Sequence, residues 1–261
     1  MEPAVHIPLP DRWLDSRVSI AVVGAGGTGS QVVDQLASLN ATMVALGHPG
    51  FEVTVFDPDT VSASNIGRQR FCSADIGRHK SDVLVHRVNL FHGLNWRSRA
   101  DYFGDGHFFD LVIGCADTVS AREVMQHCRA RYWLDCGNSA RSGHVILGEP
   151  LGRYENHIAE RFRLPTWMDL FPGVTEAPDA PSCSVEEAIR RQSWPVNHRA
   201  AQLACELLYC WFRHGRIDWH GCLFTVDPPS VSVLPVRADT WWPFGLEVCS
   251  ERLAGLAESQ P

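Results

Sequence analysis

No apolar run in this sequence approaches the length of a membrane-spanning helix. Its start, MEPAVHIPLPDRW, lacks the basic stretch and following apolar run of a secretory leader, so none is expected. Positive charge is also scarce. Against 30 Asp and Glu stand 23 Lys and Arg, a formal net charge of −7, which excludes a general binder of nucleic acid or anionic membrane. No C-x-x-C pair occurs; the nearest cysteines, Cys205 and Cys210, fall within a helical pattern, so no zinc is expected. The cysteines number nine, an odd count irregularly spaced, and read as the reduced thiols of a cytoplasmic protein. Internal repeats and low-complexity segments are absent.

What is present is the balance of an ordinary globular protein, 45% hydrophobic and 20% charged over 261 residues, enough for one large domain. Val18 to Val23 reads as a buried parallel strand, followed at once by glycines and by a helical pattern through Val32, Val33, Leu36 and Leu39. FEVTVFDPD is a second strand and GRHKSDVLVHRVNLF a helix. FDLVIGCAD is a third strand, TVSAREVMQHCRAR a helix, and YWLDCGN and GHVILGE two more strands. This alternation predicts an α/β fold, a doubly wound, mostly parallel sheet with helices on both faces and ligands at the carboxyl ends of its strands. Residues 150–195 hold six prolines and little periodicity, a long irregular passage of the kind that serves as a lid or stays disordered. Asn197 then reads as the cap of a strong helix closed by Gly215, and CLFTVD and SVSVLPV form a hairpin-like end.

Gly24, Gly26 and Gly29 make a G-x-G-x-x-G turn between strand and helix, where backbone approaches phosphate closely and the helix N-terminus offers free N–H groups. A glycine turn serving only strand–helix packing is the plainer alternative, and the motif alone does not separate NAD from ATP. Asp57, at the end of the second strand, suits a ribose hydroxyl. It comes 28 residues after Gly29, so the first connection carries an insertion around ATMVALGHPG. Arg68, Lys80 and Asp117 then reach the same edge from three further segments. A diphosphate does not need them; a triphosphate with magnesium does, the cations for its oxygens and the carboxylate for its metal. Singly, Arg68 and Lys80 are solvated surface charges and Asp117 a helix cap. Together they point to ATP.

DSRVSIAVVGAGGTGS, DPDTVSASNIGRQRF, IGRHKSDV and FDLVIGCADTVSAREVMQHC, in that order, resemble the ThiF/HesA/MoeB family, enzymes that adenylate ubiquitin-like proteins. APSCSVEEAIRRQSWPVNH and HGRIDWHG are similar to the ThiF-related member of the bacterial PRTRC system. The resemblance implies a Rossmann-like ATP-binding region over residues 1–149, completed by a crossover loop, helix and strands over 150–261. It implies a nucleotide site of Gly24, Gly26, Gly27, Gly29, Asp57, Asp59, Asn65, Arg68, Gln69 and Lys80. Arg68 and Lys80 would be catalytic and Asp117 would hold Mg2+. The implied substrate is a small ubiquitin-like or sulfur-carrier protein with a glycine-rich C-terminus, and the implied assembly a homodimer or related heterodimer, without nucleic acid or membrane.

The sequence also departs from the family. The N-terminal R-Y-x-R-Q arm that reaches a partner's ATP site in bacterial members is replaced by LPDRWLDSR, with Arg12 a poor substitute. Cys183, in the Pro-rich passage, stands either as the acceptor thiol of a transfer step or as a passive loop residue. Seven of the other eight cysteines, at 72, 115, 128, 136, 205, 210 and 222, read as core. Of the late tryptophans, Trp194, Trp211, Trp219, Trp241 and Trp242 read as core packing. Two further readings stay open: a non-catalytic partner subunit, favoured by the missing arm, and an NAD(P)-dependent oxidoreductase, which leaves Arg68, Lys80 and Asp117 without a task. A family branch that activates a carboxylate on modified tRNA is opposed by the acidity.

Overall fold

The short β-branched runs become strands because each is apolar on both sides and finds helices to bury it. The computed structural model describes residues 5–104, 106–153, 163–175, 193–248 and 253. Its strands are β1 (Ile7–Pro8), β2 (Val18–Val23), β3 (Phe51–Phe56), β4 (Arg97–Arg99), β5 (Phe108–Gly114), β6 (Arg129–Asn138), β7 (Ser142–Gly148), β8 (Arg216–Ile217), β9 (Trp219–Val226) and β10 (Pro229–Pro235). The helices are α1 (Asp11–Asp15), α2 (Gly27–Ala45), α3 (Lys80–His92), α4 (Val119–Gln126), α5 (Trp167–Leu170), α6 (Trp194–His214) and α7 (Ala238–Trp241). Eight strands form one sheet in the order β10-β9-β7-β6-β5-β2-β3-β4. From β6 to β4 the ladder is parallel, and β7, β9 and β10 extend it antiparallel. Helices α2, α3 and α6 cover one face; α4 and α5 cover the other. The expected mixed, mostly parallel α/β sheet is therefore the fold. Among the described residues, no helix is long and apolar enough to cross a membrane.

Several local expectations change. The first half of the segment read as an insertion, residues 41–45, is more helix: α2 runs 19 residues to Ala45, burying Leu36, Leu39 and Met43 on one stripe. The exposed strand β4 has no apolar alternation to betray it and exists only through its ladder with β3. Helix α4 stops at Gln126, because the following residues pair with β5 from Arg129 onward. Asn197 is not a cap. Pro195 lies in the first turn and starts α6 earlier, at Trp194, with Ser193 in the cap position. Asn197 is thereby buried, its Oδ1 accepting from Thr28 Oγ1 at 3.0 Å and from Asn138 Nδ2 at 3.2 Å.

The core forms one cluster across both sheet faces. At the amino ends of the parallel strands, Trp13 meets Tyr132, Trp211 and Phe212, and Trp211 Nε1 donates to the Ile7 carbonyl at 3.2 Å. Trp211 and Trp241 are fully buried, as core tryptophans should be, whereas Trp194 and Trp242 are about 60% exposed and are not core. The cysteines divide as well. Cys128, Cys136, Cys205 and Cys222 are buried, Cys115 and Cys210 are half-buried, and Cys72 is exposed because it lies in the loop after Phe71, which takes the apolar position instead.

His220 on β9 is completely buried. Its Nδ1 lies 2.8 Å from the Leu147 carbonyl, and its Nε2 accepts from Trp241 Nε1 at 2.9 Å, so the ring is neutral with the proton on Nδ1. Burial pushes its pKa down to about 4 from 6.5, the Leu147 bond opposing only in part. Between those two values the unfolded chain holds a proton that the folded protein does not. Stability should therefore fall as pH drops through this window, and this ring should contribute no slope above it. Urea unfolding at stepped pH should show that slope, and His220→Gln should remove about 1.4 kcal/mol per pH unit of it. An unchanged slope in the variant would place the acid sensitivity elsewhere.

Candidate functional site

The carboxyl ends of β2, β3 and β5 meet at the glycine turn. Gly24 has φ +92°, donates its N–H to the Phe56 carbonyl at 2.8 Å, and would bring a Cβ within 3.0 Å of the Cys115 backbone. A Cβ on Gly27 would strike Asn197 at 2.7 Å, and one on Gly29 would strike the Gly24 carbonyl at 1.8 Å. These three glycines let strand, turn and two helices close on one another. Gly26, the residue before α2, is different: among the described residues a Cβ there meets nothing within 4 Å, so they leave open space over the helix N-terminus.

Asp57 fixes this turn. Its Oδ2 accepts the Ala25 N–H at 2.6 Å and its Oδ1 the Asp59 N–H at 2.8 Å, inside a buried pocket. Burial raises its carboxyl above the usual range, while those two N–H groups and the Lys80 charge pull it back. Beyond it, Val61 donates to the Arg78 carbonyl at 2.8 Å and Lys80 N–H to the Asp59 carbonyl at 3.0 Å, so residues 59–61 run antiparallel to 77–80. That pairing delivers Lys80 as the first residue of α3, with its Nζ donating to Asp59 Oδ2 at 2.7 Å. The pair is lopsided: the Lys80 side chain is 9% exposed and the Asp59 side chain 64%.

Asn65 is buried and uses its Oδ1 to accept the Ser62 N–H at 2.9 Å, fixing its own turn. Gln69 is buried too, and among the described residues its Oε1 has no hydrogen-bond partner. Burial lowers the pKa of the half-buried Arg68, and the nearby Asp117 carboxylate opposes that shift. Asp117 itself is exposed just past β5. Arg70, two residues after Arg68, turns away to Asp34 at 3.0 Å. One sheet edge therefore collects Gly24, Gly26, Asp57, Asp59, Asn65, Arg68, Gln69, Lys80 and Asp117. Cys183 lies outside the described residues.

The placement of two arginines escapes a sequence reading. Arg122 of α4 is buried against Asp135 of β6 and donates to the Asp117 carbonyl. Its only trace in the sequence is one Arg in TVSAREVMQ, indistinguishable from a solvated helix charge. Arg12 pairs at 3.2 Å with Asp110, which also accepts the Ser19 N–H and hydroxyl at 2.9 and 2.7 Å. That places Arg12 at the opposite end of the parallel strands, far from the glycine turn.

Residues 11–237 match the ThiF family, and the chain belongs to it. It is 29% identical over 154 residues to ubiquitin-like modifier-activating enzyme 5 of Dictyostelium discoideum, covering 50% of this chain and 38% of that protein. It is 30% identical over 122 residues to the tRNA threonylcarbamoyladenosine dehydratase of Haemophilus influenzae, covering 42% of each. The chain thus spans about two-fifths of the length of these relatives. Among solved structures it is similar to E. coli MccB with ATP, at TM-score 0.53 and 16% identity over 87% of this chain and 65% of that one. It is also similar to PaaA, at TM-score 0.54 and 13% identity over 84% of this chain and 64% of that one. These two likenesses establish the shared fold.

If Asp57 holds the turn, Asp57→Ala leaves two backbone N–H groups without their acceptor. The urea midpoint should then drop by the equivalent of about 2 kcal/mol or more, at constant m-value. A midpoint equal to that of the parent protein would show that other contacts hold the turn.

Proposed function

We infer that this protein uses ATP to adenylate the C-terminal carboxylate of a small ubiquitin-like or sulfur-carrier protein. The observation that carries the reading is the gathering of Arg68, Lys80 and Asp117 around an open helix N-terminus, more charge than a dinucleotide requires. Membership in the ThiF family and the likeness to a ubiquitin-like modifier-activating enzyme support it.

The residues fit the nucleotide. Gly26 leaves room for phosphates over the first amides of α2. Each Asp57 oxygen accepts one backbone N–H and retains a second lone pair for a ribose hydroxyl. The buried, unpartnered end of Gln69 awaits a ligand, and a half-turn of its amide offers either donor or acceptor. Lys80 can exchange Asp59 for a phosphate oxygen, because the exposed Asp59 swings into water while the lysine stays sheltered. For magnesium, the described residues contain no group of three or more His, Cys, Asp or Glu able to hold a metal ion. One exposed carboxylate, Asp117, suits an ion that is carried by the phosphates and keeps its waters.

A carboxylate oxygen of the substrate attacks the α-phosphorus, an acyl-adenylate forms and pyrophosphate leaves. Two anions must approach, so Arg68 and Lys80, fixed beforehand, stabilise the charge that builds on the phosphate oxygens. Asp117 would hold a magnesium ion carried by the phosphates, which when bound would supply further charge neutralisation. The sheltered Lys80 acts in a low-dielectric setting, where its charge is worth more than in water. Cys183 takes the acyl group onto its thiolate in a following step, releasing AMP.

Asp117→Ala should keep the fold and lower ATP–pyrophosphate exchange, driven by a carrier protein ending in Gly-Gly, by at least about a hundredfold, or about 2.7 kcal/mol. Near-parental exchange would remove Asp117 from the metal. Exchange driven by tRNA and not by the carrier would move the substrate to the dehydratase class. Cys183→Ala should retain exchange but yield no thiol-sensitive adduct with the carrier in intact-mass spectra. A normal adduct in that variant would rule out the transfer step at Cys183.

A further inference from the structure

Arg122 lies on the side of α4 that faces the sheet and is 7% exposed, an unfavourable place for a guanidinium. Its Nε is 3.1 and 3.2 Å from the two oxygens of Asp135, a fully buried carboxylate on β6. The Trp167 ring covers the guanidinium at 4.5 Å. His144 of β7 stacks on the same ring and brings Nε2 to within 2.7 Å of Asp135 Oδ2. Gly137 makes the space: a Cβ there would come within 2.9 Å of Arg122 Nη2 and 2.2 Å of His144 Cε1. The guanidinium also sends Nη1 to the backbone carbonyl of Asp117 at 3.3 Å.

A buried ion pair of this kind is on average no more stabilising than an apolar pair of the same volume. What it supplies is direction: with Nε shared between both carboxylate oxygens, the rigid guanidinium plane points Nη1 along a fixed line to the Asp117 carbonyl. We propose that Arg122 is a positioning residue for the nucleotide-borne metal: it ties the peptide of Asp117 to the buried Asp135 and so aims the Asp117 carboxylate. The inference rests on the adenylation reading, and it extends that site by a second layer reaching from β5 through α4 to β6 and β7. Arg122→Lys retains a cation for Asp135 but lacks the second nitrogen that reaches the Asp117 carbonyl.

The test is equilibrium binding of radiolabelled ATP by the whole chain, in EDTA and across a series of Mg2+ concentrations. Arg122→Lys should bind ATP in EDTA within about twofold of the parent protein, because the glycine turn, Arg68 and Lys80 are untouched. Its half-saturating Mg2+ concentration should rise at least about tenfold, equivalent to about 1.4 kcal/mol. Parental Mg2+ dependence in a folded Arg122→Lys overturns the proposal. So does equal weakening with and without Mg2+, the signature of a purely structural role. If the lysine variant does not fold, the double variant Arg122→Met/Asp135→Asn removes both charges and must show the same Mg2+ shift. Absence of ATP binding by the parent protein is a separate outcome that overturns the adenylation reading itself.

Discussion

One buried carboxylate organises the carboxyl edge of the sheet. Asp57 accepts the Ala25 N–H from the glycine turn with one oxygen and the Asp59 N–H from the next loop with the other. Everything in front of the parallel strands is hung on that bridge. The turn lies where Gly24 can approach the β5 end and Gly26 can open the helix N-terminus. Asp59, held by its amide, pairs its backbone with Lys80 and brings the lysine to the start of α3. An ionised carboxylate is costly to bury, and here backbone donors and a neighbouring lysine offset that cost. The binding edge is thus preorganised by the same contacts that close the fold.

The second support comes from the far part of the chain. Helix α6 lies beside α2, and Asn197 fills the space left by the missing Gly27 side chain while accepting from Thr28 and Asn138. The glycine turn is therefore gripped from both sides, by β3 through Asp57 and by α6 through Asn197. Behind Asp117, the Arg122–Asp135–His144 cluster occupies the opposite sheet face. The Lys80 side chain is held almost wholly out of water and Arg68 partly so. An edge built this way needs little rearrangement when an anionic ligand arrives.

The strands β2, β3, β5 and β6 and the helices α2 and α3 were legible because their apolar residues repeat at the strand and helix periods and because Gly24, Asp57 and Lys80 sit at strand or helix ends. The glycine turn was legible from its spacing between strand and helix, although spacing did not distinguish Gly26, whose added Cβ would meet none of the described residues, from Gly27 and Gly29, which serve packing. What escaped has a common physical origin. The exposed ladder of β4, the interior placement of Asn197 and the burial of Arg122 all depend on partners distant in sequence. An Asn before a helix looks like a cap, and an Arg within one looks like a surface charge. Only tertiary contact, and in α6 the early start set by Pro195, gives them other tasks.

The central claim is that this edge is made for a nucleoside triphosphate with its metal. The most direct measurement is a thermal unfolding series with ATP and Mg2+, NAD(H) and NADP(H) at matched concentrations, since a ligand that binds only the native state raises the melting temperature by mass action. ATP with Mg2+ should raise it, and the dinucleotides should leave it unchanged. Stabilisation by a dinucleotide and none by ATP would contradict the account.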